Sequence, residues 1–134
     1  MPFSRIMVQT GRSEEALKII SDTLHQTLVD EFNVPPKDRF QVIDEYPEGR
    51  LIFDETYLSG KRTSNYILFL ITAGKPREKE MKARFYQVLS QRISERTGIS
   101  QDDVMVVVQF TNPDDWSFSG GKLYTIQEAV NEGN

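Results

Sequence analysis

Cysteine is absent from the 134 residues and histidine occurs once, at position 25. Disulfides, thiolate nucleophiles, zinc–cysteine centres and His-rich metal sites are thereby excluded together. Neither a metal nor a cofactor is expected. A Ser-His-Asp arrangement would have to use His25, which falls on the edge of a helical apolar stripe and reads as packing or surface. Long apolar runs are missing too. The longest, Tyr66 to Ile71, falls far short of the roughly 20 residues a membrane span needs. Met1 to Met7 holds an arginine and no cleavable apolar stretch, so no signal peptide is expected and a cytoplasmic location is. Basic residues are outnumbered, 16 against 20 acidic ones for a formal charge of −4, which disfavours nucleic acid and anionic membranes as partners. No Ser/Gly-rich or Pro-rich linker divides the chain. One domain over 1–134 is expected, with only the polar tail 127–134 able to fray or wrap a partner. An enzyme of this composition working near neutral pH must draw its proton carrier from an unusual place.

What is present is a pattern that occurs twice. Phe3 to Val8 alternates loosely as a strand and ends at Thr10-Gly11. Ser13 then offers an N-cap, with Glu14 and Glu15 at the positive end of a helix dipole. Apolar residues recur at Ile20, Leu24, Leu28 and Phe32, widened by Leu17 and Ile19, over about five helical turns. Val34-Pro35-Pro36 stops that helix, and Phe40-Gln41-Val42-Ile43 begins a second strand. In the second half Asn65 to Ala73 reads as a strand ended by Gly74. A helix follows the Pro76 start signal, with Met81, Phe85, Val88, Leu89 and Ile93 on one face. Gly98 closes it, and Val104 to Phe110 is another strand.

Thr10-Gly11-Arg12 overlays Ala73-Gly74-Lys75 at an offset of 63, and Pro36-Lys37-Asp38 overlays the stretch through Gln101-Asp102 at an offset of 64. The repeat halves are about 2–46 and 65–111. Between them, Leu51-Ile52-Phe53 and the segment through Gly60-Lys61 suggest a small hairpin. The fold class expected is α/β (α+β): two β-α-β units forming a four-stranded sheet with both helices on one face. The other face would be half covered, which favours a small closed oligomer.

Four short motifs stand in order along this pattern: Pro2, Pro36-Lys37-Asp38-Arg39, Lys75-Pro76-Arg77 and Asp115-Trp116-Ser117-Phe118. Together they resemble the tautomerase superfamily, most closely its malonate semialdehyde decarboxylase group, from Pro2 to about Tyr124. The resemblance implies a homotrimer whose proton carrier is the nitrogen of an N-terminal proline. That nitrogen fits the composition, because an α-amino group titrates at about 7.7–8.0. Removing Met1 would create a secondary amine on a rigid ring. A retained Met1 would leave an amide that carries no proton.

Lys75 and Arg77 lie where a strand ends and a helix begins, placed to hold a carboxylate and support developing negative charge. With Lys79, Lys82 and Arg84 nearby they also fit a solvated basic helix start. The resembling group has two arginines in this pattern, and Lys75 departs from it, since lysine lacks the planar bidentate fork. Asp38 matches the carboxylate that in that group activates water or orients substrate, although Lys37-Asp38-Arg39 also suits an exposed turn. Trp116 and Phe118 match aromatics that wall the site, and a sole tryptophan equally suits a core or interface. The function expected is an N-terminal-proline enzyme acting on a small oxo acid. It would be an isomerase catalysing keto–enol tautomerisation of a 2-oxo acid, or a lyase decarboxylating a 3-oxo acid such as malonate semialdehyde. Alternatives are hydration or dehalogenation of a 3-halo-acrylate, and a non-catalytic trimeric interaction protein.

Overall fold

The computed structural model describes residues 1–125, and the tail expected at 127–134 lies outside the described residues. The elements run β1 (Pro2–Gln9), α1 (Glu14–Phe32), β2 (Gln41–Tyr46), β3 (Ile67–Ala73), α2 (Lys79–Thr97) and β4 (Val104–Phe110). Local chemistry sets most of these limits. The Ser13 hydroxyl oxygen accepts from the Ala16 N–H at 3.1 Å, and Glu14 and Glu15 occupy the first turn of α1. Asn33, in the left-handed region at φ 56°, ends α1, and Gly98 at φ 78° ends α2. Helix α2 starts at Lys79, later than Pro76 suggests. The intervening turn is held instead by Arg77, which donates to the carbonyls of Lys75 and Phe32.

The sheet order is β2-β1-β3-β4, with parallel outer pairs and an antiparallel central pair. Each outer pair encloses one helix, giving the two β-α-β units. Both helices are 19 residues long and lie 65 positions apart. Strand register sets Ile43, Ile6, Phe69 and Val106 side by side. Alternation then gathers Ile6, Val8, Ile67, Phe69 and Ile71 on the face that meets Leu24, Leu28, Phe85, Leu89 and Ile93 of the helices. Phe32 and Phe85 stack at 4.3 Å across the helix pair. Each such fully buried ring stabilises the fold by about 1.5–3 kcal/mol relative to exposure. Two buried threonines in that seam are satisfied, with Thr23 accepting from Arg96 and Thr27 from Arg92.

The opposite face carries Phe3, Leu68 and Leu70, half-buried, together with the Arg5–Asp44 ion pair at 2.9 Å. It is half covered, as the pattern predicts. The expected hairpin is not formed: residues 47–66 make turns and bends. Arg62 accounts for the difference. Its amide donates to the Glu55 carbonyl at 2.8 Å, and its guanidinium donates to the Tyr57 carbonyl at 2.5 Å. Backbone acceptors that a ladder would have used are satisfied inside the loop. Among the described residues no helix is long and apolar enough to cross a membrane.

Candidate active site

Antiparallel pairing of β1 with β3 sets Pro2 opposite Ala73. The start of the chain therefore lies beside the turn from Gly74 to Arg77 that leads into α2. On its other side β1 pairs with β2, and the turn before β2 supplies Asp38, whose amide donates to the Pro35 carbonyl at 2.9 Å. Three segments remote in sequence thus meet at residues 1 and 2. The α-amine of Met1 lies 3.4 Å from Asp38 Oδ2. That is an ion pair too long for a well-formed hydrogen bond, and Oδ2 is buried with no other donor among the described residues.

Burial lowers the pKa of this α-amine below its ordinary value of 8.0. Asp38 opposes the effect, and Arg77 and then Lys75 add smaller lowering contributions. Arg77 is part of the wall rather than a free arm. Its Nη2 donates to the Phe32 carbonyl at 2.9 Å, its Nη1 to the Lys75 carbonyl at 2.5 Å, and its guanidinium carbon lies 5.0 Å from the centre of the Phe32 ring. The cation so placed also faces the negative end of the α1 dipole. Burial lowers its pKa, although an arginine keeps its charge. Lys75 is exposed.

Two cavities flank Met1. One of about 370 Å³ is bounded by Lys75, Arg77, Asn33 and Thr111, and one of about 250 Å³ by Pro2, Asp38, Phe40 and Phe118. Met1 and Tyr124 line both. The structure therefore brings Pro2, Asp38, Lys75, Arg77 and Phe118 to one place. Trp116 stands behind it: the indole stacks on Phe118 at 5.3 Å and its Nε1 donates to Thr111 Oγ1 at 2.6 Å. Gly74 leaves room here for the end of the Met1 side chain, which a Cβ would displace, and a Cβ would also lie a tight 3.1 Å from Trp116 Nε1.

Sequence reasoning overlooked Thr111 and Tyr124. Nothing near Thr111 marks it. Tyr124 had a signal in Gly120-Gly121, whose φ values of 65° and 70° turn the chain so that the Tyr124 amide donates to the Trp116 carbonyl at 3.0 Å. The duplication also has a sharper form than the motif overlay. At the helix offset of 65, Arg77 corresponds to Arg12, and Asp38 to Asp103 rather than Asp102. Asp103 is buried and accepts from the Thr63 amide and hydroxyl, both at 2.6 Å. Arg12 donates to the Asn65 carbonyl. Where Asp38 meets an amine, its counterpart meets chain entering β3, so only the first half presents a titratable nitrogen.

A chain start held between a carboxylate and a pair of cations, on a duplicated β-α-β sheet, defines a class of small proteins. This chain belongs to the tautomerase family: residues 38–119 match one family model described as tautomerase enzyme, and residues 2–60 match a second so described. It is 35% identical over 127 residues to the probable tautomerase YusQ of Bacillus subtilis (strain 168), covering 95% of this chain and all of that protein. Among solved structures it is similar to malonate semialdehyde decarboxylase, with 30% identity, a TM-score of 0.85 and 98% of each chain covered. A fused 4-OT symmetric trimer shares the fold at 19% identity and a TM-score of 0.70, with 98% and 99% covered.

Proposed function

We propose that the chain, once Met1 is removed, is an N-terminal-proline enzyme that interconverts the keto and enol forms of a 2-oxo acid. The observation that carries this is the place of the chain start, at the junction of two cavities, with Asp38 on one side and Lys75 and Arg77 on the other. Lys75 and Arg77 bind the carboxylate and stabilise negative charge on the carbonyl oxygen. Neutral Pro2 nitrogen takes a proton from the carbon beside the carbonyl, electrons move onto oxygen, and the protonated Pro2 nitrogen then gives that proton to the oxygen, directly or through a water, so that the enol forms and the neutral amine is restored. Asp38 positions the amine or a water molecule. Burial lowers the pKa of the Met1 α-amine beside Pro2, and a proline nitrogen similarly withdrawn from water would favour the neutral form that the reaction needs. The likeness to a probable tautomerase supports the same choice. The half-covered sheet face and the trimeric fold relative support a homotrimer.

A second reading, decarboxylation of a 3-oxo acid, is favoured by the 30% identity to malonate semialdehyde decarboxylase, whose solved forms include one with its N-terminal proline changed to alanine. It would need Pro2 protonated so as to donate to the carbonyl. Intact mass of protein from its own cell, followed by assays with an enolised 2-oxo acid and with malonate semialdehyde, decides the matter. A mass lacking one methionine, tautomerisation, and its loss in Pro2→Ala are the expected results. An active Met1-bearing chain, or an undiminished Pro2→Ala variant, would overturn the proline mechanism. Carbon dioxide release from malonate semialdehyde would move the assignment to the second reading.

A further inference from the structure

Asp38 faces the chain's first amine across 3.4 Å, and its Oδ2 is buried without a hydrogen bond among the described residues. Nothing at that oxygen aims the carboxylate, so its place follows from the turn that carries it. The backbone holds this turn poorly. Pro35 and Pro36 have no N–H to give, and the main chain of residues 35–39 bonds only to itself, Asp38 to the Pro35 carbonyl at 2.9 Å and Arg39 to the Lys37 carbonyl at 3.0 Å. Two side-chain contacts with α1 make up the shortfall. His25 Nε2 lies 2.7 Å from the Pro36 carbonyl. A carbonyl only accepts, so Nε2 carries the hydrogen, as it does in one neutral tautomer and in the imidazolium alike. On the far side of Asp38, Arg39 Nη2 donates to Ser21 Oγ at 2.8 Å and to Asp22 Oδ1 at 2.7 Å. Ser21 and Asp22 precede His25 by about one helical turn and share its face.

The second half of the chain shows why this tether matters only in the first. At the helix offset of 65, His25 corresponds to Ser90 and Pro36 to Gln101, and Ser90 Oγ donates to Gln101 Oε1 at 3.2 Å. There the counterpart of Asp38, Asp103, is aimed directly by the amide and hydroxyl of Thr63. Asp38 has no such donors. We propose that His25 is a positioning residue, which through the Pro36 carbonyl holds the Asp38 carboxylate against the chain's first nitrogen. Without it the turn stays fastened at Arg39 and swings outward at Pro36 and Lys37, both exposed. The consequence for turnover rests on the Pro2 reading, while the hold on Asp38 is testable in the Met1-bearing chain without any reaction.

Acetic anhydride labelling of the Met1 α-amine at pH 6–7, read by peptide mass, reports the neutral fraction of the amine. Coulomb attraction falls as the inverse of distance, so a retreat of Asp38 by about 1–2 Å removes roughly a quarter to a third of it and should speed labelling about two- to three-fold. Glutamine carries its amide nitrogen as far from Cα as histidine carries Nε2, whereas asparagine falls a bond short. His25→Asn should therefore label faster and His25→Gln at the parental rate. In an Asp38→Asn background, His25→Asn should add nothing. Parental labelling in His25→Asn, equal acceleration in the two variants, or an undiminished effect without Asp38 would overturn the tether. Near-ultraviolet circular dichroism checks the fold, and His25→Ala replaces His25→Asn should the latter not fold. In the processed enzyme, at a pH where Pro2 is neutral in every variant, His25→Asn should lower kcat about ten-fold with KM little changed; an equal kcat also overturns the role. Unaltered labelling with Pro2→Ala inactive would sink the tether and leave the proline mechanism standing. Labelling as expected with Pro2→Ala fully active would do the reverse.

Discussion

Asp38 is the one group opposing the downward pull on the chain's first amine, and replacing it by asparagine isolates that effect. In the Met1-bearing chain the ion pair spans 3.4 Å, with side-chain exposures of 11% and 22%. Coulomb's law at that distance gives about 1 kcal/mol in a water-like medium and about 5 kcal/mol at an effective dielectric of about 20. Partial exposure and salt screening bring the expected value to about 1–2 kcal/mol. The sign is fixed by which form the carboxylate favours. Asp38 stabilises the ammonium, so Asp38→Asn lowers the pKa further below 8.0 and enlarges the neutral fraction at pH 6–7. The protonation constant should fall about five- to thirty-fold. Acetic anhydride labelling of the α-amine, followed by intact mass across pH, measures this directly, because only the neutral amine reacts. Labelling at pH 6–7 should accelerate in Asp38→Asn, and the difference should shrink in 1 M salt. Unchanged or slower labelling, with near-ultraviolet circular dichroism preserved, would refute the pairing and remove Asp38 from the site.

Three further outcomes follow from the same geometry. Lys75→Arg restores a planar fork at the carboxylate, so KM for the oxo acid should fall several-fold with kcat little changed; a raised KM would show that Lys75 does not meet the carboxylate. Gly74→Ala should cost more stability in the Met1-bearing chain than in the processed one, since one of the two groups its Cβ would strike belongs to Met1; paired urea melts of the two forms make the comparison. Phe85→Ala removes a fully buried ring stacked on Phe32 and should cost about 3–5 kcal/mol in urea unfolding, a loss that Met1 removal does not alter.

Much of the fold is local and therefore readable along the chain. The apolar spacing from Leu17 to Phe32, the Ser13 cap and the Gly98 stop are statements about residues three or four positions apart, and they set the helices. Val104–Phe110 is carried by four valines and closed by an aromatic, residues that favour a strand. The segment 47–66 escaped such reading, because a buried Arg62 organises it by taking carbonyls that look like strand acceptors. For the same reason the resemblance could offer Trp116 as a wall of the site but not show what holds it: its indole partner, Thr111, is chosen by three-dimensional packing against β4 and Ala73.

The amino-acid sequence by itself determined that the usual neutral-pH groups are missing, that two β-α-β units recur, and that Pro2, Asp38, Lys75 and Arg77 are the residues worth watching. The first two are matters of composition and short-range pattern, and the four residues are what the motifs' resemblance to the tautomerase superfamily implies. Only the tertiary structure decided that these four meet. Their meeting depends on strand order: an antiparallel β1–β3 pair sets Pro2 against Ala73, and a parallel β1–β2 pair carries Asp38 to the other side of the same residue. It also fixed Arg77 to the end of α1 and exposed Phe40 and Phe118 to one cavity. Such contacts join residues tens of positions apart, and what selects them is the burial of one sheet face beneath two helices, a property of the whole chain that no single motif contains.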